Sequence, residues 1–149
     1  MKVVATNRKA SFEYFILDRY EAGIKLTGTE IKSVRASKIN INDAYVIIRN
    51  YVPYIVNMHI AKYEKGTLYN HDETRSRELL LHKNEIIKLF NKVKLEGLTL
   101  VATKAYFNDG LLKIEVSLCK GKKLQDKREA IKEREAKIKT QKALKNYMK

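Results

Sequence analysis

The apolar residues of this 149-residue chain are distributed unevenly, and its last thirty residues contain too few of them to build a core. Residues 120–149 hold twelve Lys and Arg against four Asp and Glu. The larger apolar residues at the start of this segment, Leu124, Ile131 and Ile138, are seven apart and would form only a thin stripe on a helix. A folded core must therefore come from the first ~120 residues, which are enough for one domain.

The chain is thus expected to contain two regions, a folded domain over residues 1–123 and a basic C-terminal tail over residues 124–149. The tail has no Pro or Gly and is rich in Glu, Lys and Ala, a composition that favours helix. Because an isolated helix of this length is marginal in water, we expect the tail to be disordered when free and helical on a polyanion. A solvated extension without a partner is the alternative.

The net charge of +14 and a pI near 9.8 make nucleic acid the leading class of partner, ahead of an anionic membrane or an acidic protein. No apolar run approaches the ~18 residues that span a bilayer, and the N-terminus lacks the apolar segment of a signal peptide. Cys119 is the only cysteine, which excludes an intrachain disulfide, and no histidine near it in sequence could activate it. We expect a cytosolic protein with no membrane partner that is a monomer when free.

The pattern of the first 120 residues is mainly that of strands. Apolar and polar residues alternate over 112–119, and Asp109-Gly110 before this strand indicates a hairpin turn. A second pair of strands is predicted at 45–49 and 54–60, joined around 50–53. A third pair is predicted at 12–18 and 24–26, joined by a turn at 21–23. Most of the sheet should be antiparallel.

Two helices are predicted between the strands. Thr27 and Glu30 have the spacing of a capping box and begin a short helix. A second helix over 83–95 should end at Gly97, and its inward side chains should be Ile86, Ile87, Phe90 and Val93. Five or six short strands, two helices and no βαβ rhythm predict a mainly β protein with an OB-fold-like antiparallel barrel. An α/β sandwich is the alternative.

The sequence displays no catalytic constellation. Its three histidines belong to no His-Glu-x-x-His motif, and there is no Gly-rich phosphate loop, so we expect no catalytic residue, metal or cofactor. The acidic Asp72, Glu73 and Glu78 flank Arg75 and Arg77 and are expected to be their charge partners. An enzyme is therefore the weaker hypothesis.

Short motifs in a specific order give the chain a resemblance to a known family. They are NRKA (7–10), EYFI (13–16), YEAGI (20–24), LTGTEIKSVRA (26–36), NDAYV (42–46), TRSR (74–77), LLLH (79–82), KGKK (120–123) and DKRE (126–129). Together they resemble the blocks of the bacterial SsrA-binding protein family, also called small protein B. The resemblance covers nearly the whole chain.

The resemblance implies a concrete role. Members of the family bind transfer-messenger RNA (tmRNA) and deliver it to ribosomes stalled on messages that lack a stop codon. Their OB-fold barrel binds the part of this RNA that is like a transfer RNA. Their tail becomes helical in the empty mRNA channel and reports to the decoding centre. The partners implied for this chain are therefore tmRNA and the ribosome.

The resemblance also implies residue roles. The RNA-binding positions are Asn7, Arg8, Lys9, Tyr14, Glu21, Lys113, Lys120, Lys122 and Lys123. The ribosome-contacting tail positions are Gln125, Asp126, Lys127, Arg128, Ile131 and Ile138. Lysine suits a phosphate contact, and a glutamate suits a base amine or the orientation of a neighbouring basic residue. On the residues alone, Glu21 reads as a turn residue and Tyr14 as a core aromatic.

The chain departs from the family pattern at several positions. Gln125 stands where members often have His or another ring, Thr29 replaces a Trp, Phe12 replaces a His, and Ala136 stands where some members have Trp. Base stacking at these positions is therefore in doubt. Two other functions are considered: a generic OB-fold protein that binds structured RNA or the ribosome, and an RNA-processing enzyme.

Overall fold

The computed structural model describes residues 1–65 and 70–122, and in this part nine strands and three helices follow one another. The strands are β1 (Lys2–Thr6), β2 (Tyr14–Ile24), β3 (Ile39–Asn40), β4 (Tyr45–Arg49), β5 (Val52–Val56), β6 (His59–Ile60), β7 (Arg77–Leu80), β8 (Thr99–Asn108) and β9 (Leu111–Gly121). The helices are α1 (Ala10–Glu13), α2 (Gly28–Arg35) and α3 (Lys83–Glu96). Lys123 and the predicted tail, residues 124–149, lie outside the described residues.

Six of these strands form a closed antiparallel barrel. The hydrogen-bonded order is β8-β4-β5-β7-β2-β9, and β9 pairs again with β8, which closes the ring. β1 lies beside β8 at the end that β4 does not cover, and β3 pairs with β6 in a separate two-stranded sheet. The prediction of a mainly β, antiparallel barrel is confirmed, and the α/β sandwich is wrong.

The barrel interior is filled by the alternate residues of its strands. Leu112, Ile114, Val116 and Leu118 of β9 all point inward, as their alternation predicts. They pack against one another and against inward residues of the other strands, including Ala22, Ile55, Leu79, Leu100 and Ala105. Each buried aliphatic side chain of this kind contributes about 1.5–3 kcal/mol. Among the described residues this main core lies between Val4 and Leu118, and a second, smaller cluster is formed by Ala10, Val101 and Cys119.

β2 is one strand of eleven residues, so the predicted turn at 21–23 and the separate strands at 12–18 and 24–26 are wrong. β2 pairs with β9 from Tyr14 to Gly23, and this long ladder keeps the segment extended. Gly23 is needed for close packing and not for a turn, since a Cβ there would lie 3.3 Å from the Cβ of Leu80 on β7. Phe12 and Glu13, the first two residues of the predicted strand at 12–18, belong to α1 instead.

Two hairpins join neighbouring strands through two-residue turns. Asp109 and Gly110 have φ of 52° and 77°, the left-handed pair of a type I′ turn, which confirms the predicted β8–β9 hairpin. Between β4 and β5 the turn residues are Asn50 and Tyr51, because Arg49 pairs directly with Val52. The strand predicted at 54–60 is divided into β5 and β6.

The predicted helices are present, but one has a different buried face. The Thr27–Glu30 capping box begins α2, and Gly97 ends α3 in the left-handed conformation, both as predicted. On α3 the fully buried residue is Leu89, which the prediction omitted, while Ile87 is 39% exposed. Leu89 contacts the barrel core because α3, between β7 and β8, packs against the barrel beside Leu100.

Candidate nucleic-acid interface

Three adjacent strands, β2, β9 and β8, present polar side chains on the outside of the barrel. Glu21 lies opposite Glu115, and Lys113 lies between Gly23 of β2 and Tyr106 of β8. Glu21 and Lys113 are ninety-two positions apart in sequence but lie on neighbouring strands. Lys113 is two residues along β9 from Glu115, the residue opposite Glu21. We call the outward surface of these three strands the strand face.

Glu21 is held in place by a tyrosine that the sequence analysis did not select. The Tyr106 hydroxyl donates a hydrogen bond to Glu21 Oε2 at 2.5 Å. Burial, together with the Glu21 carboxylate, raises the pKa of Tyr106 above its ordinary value, so this hydroxyl remains a donor. The hydrogen-bond partner of Glu21 is thus a tyrosine and not a basic residue. The alternation of residues over 99–108 puts Lys104 and Tyr106 on one face of a strand, and this pattern could have identified Tyr106 as a site residue.

The second glutamate of the strand face is surrounded by partners. Glu115 accepts a hydrogen bond from the Thr103 hydroxyl at 2.9 Å, and Arg19 Nε lies 3.4 Å from its other carboxylate oxygen. Two like charges directly opposite each other on paired strands are destabilising. The Tyr106 contact to Glu21 and the Arg19 contact to Glu115 offset this repulsion.

Basic residues surround these carboxylates and form one side of a groove. The groove, of about 650 Å³, lies between β1, α1 and the strand face. Its charged lining residues are Arg8, Arg19, Lys104 and Glu115. With Lys113 added, four positive side chains accompany Glu21 and Glu115, so the face is suited to phosphate contacts with two acceptors among them.

Asn7 is buried, and its side chain joins α1 to the barrel. Its Nδ2 donates to the Ala102 carbonyl at 3.0 Å, and its Oδ1 accepts from the Ala10 amide at 3.2 Å. The structure thus gives this side chain a positioning role under the loop that carries Arg8 and Lys9. Both of those residues are exposed, and Lys9 Nζ lies 3.4 Å from Asp43. Direct RNA contact by Asn7 stays a prediction.

The remaining predicted positions lie around α1. Tyr14 is half-buried and lines a small pocket of about 140 Å³ together with Asn7, Lys9 and Tyr45. Lys120 is exposed at the end of β9. The structure therefore places Tyr14 and Lys120 at the opposite end of the β2–β9 pair from Glu21 and Lys113. Lys123 and the tail positions from Gln125 to Ile138 lie outside the described residues.

A buried charged network supports β7, the strand next to this surface. Arg77 and Glu30 are both 0% exposed, and Arg77 donates to Glu30 and to the carbonyls of Met58, Asp72 and Glu73. Arg75 donates to Glu30 at 2.5 and 3.2 Å. The prediction that Asp72, Glu73 and Glu78 pair with these arginines is wrong, because both arginines pair with Glu30 and only Asp72 acts on Arg77, through charge attraction without an ion pair. Glu73 contacts His59 and Glu78 contacts Lys25 instead.

The charge state of Glu30 follows from these contacts. Burial by itself would raise the pKa of Glu30, but hydrogen bonds from Arg75, the Thr27 amide and Arg77 outweigh it and hold the pKa below its ordinary value of 4.5. Glu30 therefore remains a carboxylate between two guanidinium groups. The sequence predicted Glu30 only as a residue that begins a helix. Its arginine partners lie in the distant segment 75–77, so no local pattern indicated the pairing.

Metal binding and thiol chemistry would each need a particular set of side chains. Among residues 1–65 and 70–122, no three His, Cys, Asp or Glu side chains are arranged to hold a metal ion. Burial raises the pKa of the Cys119 thiol to about 11, so the neighbouring lysines do not activate it. Within the same residues, no helix is long and apolar enough to cross a membrane.

Comparison with known proteins identifies the family. Residues 4–146 match the family model described as SmpB protein. This chain belongs to the SmpB family. The match spans the strand face, the buried Glu30 network and α1, and it confirms the resemblance inferred from the motifs.

Individual members of the SmpB family are similar over almost the whole chain. The SsrA-binding protein of Trichodesmium erythraeum is 50% identical over 98% of this chain and 94% of its own length. That of Acholeplasma laidlawii is 49% identical over 99% of both chains. A solved structure described as "tmRNA-SmpB: a journey to the center of the bacterial ribosome" is 44% identical, covers 88% of this chain and 95% of its own, and has a TM-score of 0.70.

Proposed function

We propose that this protein binds tmRNA and delivers it to stalled ribosomes, where trans-translation releases the ribosome and tags the incomplete protein. The observation that carries the proposal is the family match over residues 4–146, because it includes the barrel and most of the basic C-terminal segment. Relatives named SsrA-binding protein and a solved structure of tmRNA with SmpB support the same partners. Such a protein works in the cytoplasm, as a binding protein and not as an enzyme.

The strand face is the surface we assign to tmRNA. Lys113 and Lys104 of the strand face, with Arg8 across the groove, supply phosphate contacts, and these give affinity that depends on salt. Glu21, held by Tyr106, is an acceptor for an exposed base amine, a contact worth about 1–3 kcal/mol of discrimination between RNAs. A fixed acceptor among lysines lets the protein distinguish one folded RNA from other polyanions.

We assign residues 1–123 to RNA binding and residues 124–149 to work on the ribosome. The tail enters the empty mRNA channel, with Gln125, Asp126, Lys127 and Arg128 near the decoding centre and the Ile131 and Ile138 side of a helix facing the channel wall. Twelve basic residues in 120–149 suit an RNA-walled channel. Lys120, Lys122 and Lys123 connect the two regions.

A competition titration tests this function against generic RNA binding. Labelled tmRNA bound to the protein is displaced with unlabelled tmRNA or with bulk transfer RNA at one fixed salt concentration. We expect transfer RNA to compete at least tenfold less well than tmRNA. The Glu21→Gln variant, which keeps an oxygen to accept from Tyr106 but loses the charge, should bind tmRNA more weakly and lose most of the preference.

Equal competition by both RNAs would favour the generic OB-fold protein. Cleavage of either RNA during the titration would instead indicate a processing enzyme. A Glu21→Gln protein with unchanged preference would remove Glu21 from the recognition site without contradicting tmRNA binding.

A further inference from the structure

Lys122, the residue that follows β9, makes three contacts with α1 and the start of β2. Its backbone amide donates to the Glu13 carbonyl at 2.9 Å. Its Nζ donates to the Ser11 carbonyl at 3.1 Å and lies 4.9 Å from the centroid of the Phe15 ring. The contacts come from both the backbone and the side chain, so they define the position and the orientation of this residue.

These contacts occur where the chain leaves the barrel. Tyr14 pairs with Gly121 and Phe15 with Lys120, and the bond from Lys122 to Glu13 extends this ladder by one residue beyond β9. The lysine side chain then crosses the exposed Phe15 ring, which is attractive to a cation on its face, and reaches α1. At Lys122 the chain therefore lies alongside α1 and the start of β2.

We propose that Lys122, the Phe15 ring and the Ser11 carbonyl form a clamp that orients the tail as it leaves the barrel. Lys122 is then a positioning residue and not a phosphate ligand of tmRNA. Its ammonium group is already engaged by a carbonyl and a ring, whereas Lys120, two residues earlier, is exposed. The inference rests on the proposed function, since orientation matters only if residues 124–149 act on the ribosome.

The geometry of the clamp can be tested in the free protein. A methylene next to an ammonium group above an aromatic ring should show an upfield NMR shift from the ring current. We expect this shift for the Lys122 Hε protons in the full-length protein and its loss in Phe15→Leu. Lys122 Hε protons at their random-coil position in the full-length protein would overturn the clamp, whatever the outcome of RNA binding.

A double-mutant cycle tests what the clamp does. Lys122→Met, Phe15→Leu and the double variant are compared for tmRNA affinity and for peptidyl transfer to alanyl-tmRNA on ribosomes that carry truncated messages. We expect each single variant to slow peptidyl transfer about two- to fivefold, the range for one exposed cation–π contact, and the double variant to be no slower than either. Lys122→Arg should restore the rate, because Arg can also lie over a ring and donate to a carbonyl.

The salt dependence of tmRNA binding separates positioning from phosphate contact. Lys122→Met should leave the slope of log affinity against log salt unchanged, whereas loss of a phosphate contact lowers it by about 0.7–0.9. Lys65→Met, the same charge change at an exposed loop residue, controls for net charge. A lowered slope or additive effects in the cycle would overturn the clamp. Failure of the unchanged protein to bind tmRNA would count against the proposed function alone.

Discussion

At the residue scale, Glu21 shows how the barrel places a negative charge on a basic surface. Glu21 lies opposite Glu115, a pairing that costs stability on neighbouring strands. Tyr106 donates to the first carboxylate and Thr103 to the second, so each carboxylate keeps a partner. A charge held at such a cost, on the outside of the barrel and beside Lys113, is consistent with recognition of a ligand and has no role in the core.

Replacement of Lys113 by Ala should weaken tmRNA binding through a lost phosphate contact. The slope of log affinity against log salt should fall by about 0.7–0.9, while the thermal midpoint stays nearly unchanged because the ammonium group lies outside the core. The measurement is a set of binding titrations between 50 and ~200 mM salt. Lys65→Ala, at an exposed position outside the three strands, is the matched control and should change the slope less. An unchanged slope for Lys113→Ala would show that this lysine does not contact phosphate.

At the scale of elements, the Glu30 network joins α2 to the segment that leads into β7. Arg77 on β7 is completely buried, and its guanidinium is satisfied by Glu30 and by main-chain carbonyls of Met58, Asp72 and Glu73. β7 in turn pairs with β2 at Gly23, the residue that also pairs with Lys113. The network therefore holds β7 in place, and β7 in turn supports β2, one of the three strands of the strand face.

Replacement of Glu30 by Gln should destabilise the protein strongly, because it leaves Arg77 buried without its counter-charge. We expect a loss of about 3–5 kcal/mol in the free energy of unfolding, measured by urea denaturation at pH 7. Glu64→Gln breaks an ion pair of similar length to Lys38 at the surface and should have little effect. Equal effects of the two substitutions would contradict the assigned role of the buried network.

The same network predicts a dependence on pH. Because folding lowers the pKa of Glu30 below 4.5, its contribution to stability is complete above that pH. The contribution is lost as the pH falls through the lower folded-state pKa. The difference in stability between the wild type and Glu30→Gln should therefore shrink in acid, as urea titrations at successive pH values would show.

At the scale of the whole molecule, we expect the work to be divided between a barrel and a charged segment. The hydrophobic core contains residues between Val4 and Leu118, and β9 contributes four of its buried side chains. Residues 120–149 hold eight of the fourteen net positive charges. Folding and charge are thus concentrated in different parts of the chain, which allows one part to be removed without the other.

A truncation after Lys123 should leave a folded protein that still binds tmRNA, somewhat more weakly for the loss of basic residues. Its thermal midpoint should stay close to that of the full chain, since the core residues that the structure describes all lie at or before Cys119. Peptidyl transfer to alanyl-tmRNA on stalled ribosomes should collapse. The full-length chain with Asp126, Lys127 and Arg128 replaced by Ala is the comparison, and it should reproduce much of the defect. Full tagging activity after truncation would disprove the role of the tail, and loss of tmRNA binding would assign the tail to the RNA-binding domain.

The sequence by itself determined the local features of this protein, because each depends on contacts within a few residues. The Asp109-Gly110 turn, the Thr27–Glu30 cap and the left-handed Gly97 follow from backbone preferences, and the alternation of β9 follows from one strand facing both core and solvent. The family resemblance added Glu21 and Lys113 as predicted RNA-binding residues, and this assignment stays a prediction.

Only the tertiary structure decided which distant residues meet. Gly23 looked like a turn residue, but pairing with β9 and the closeness of Leu80 keep it in a strand. Arg77 pairs with Glu30, forty-seven positions away, and not with the acidic residues near it in sequence. Folding of the barrel buries Arg77 and Glu30 together and leaves those acidic residues nearer the surface. Tyr106 meets Glu21 because β9 lies between their two strands, β8 and β2. Strand pairing sets such contacts, since it depends on the register of the whole barrel and not on any short stretch of sequence.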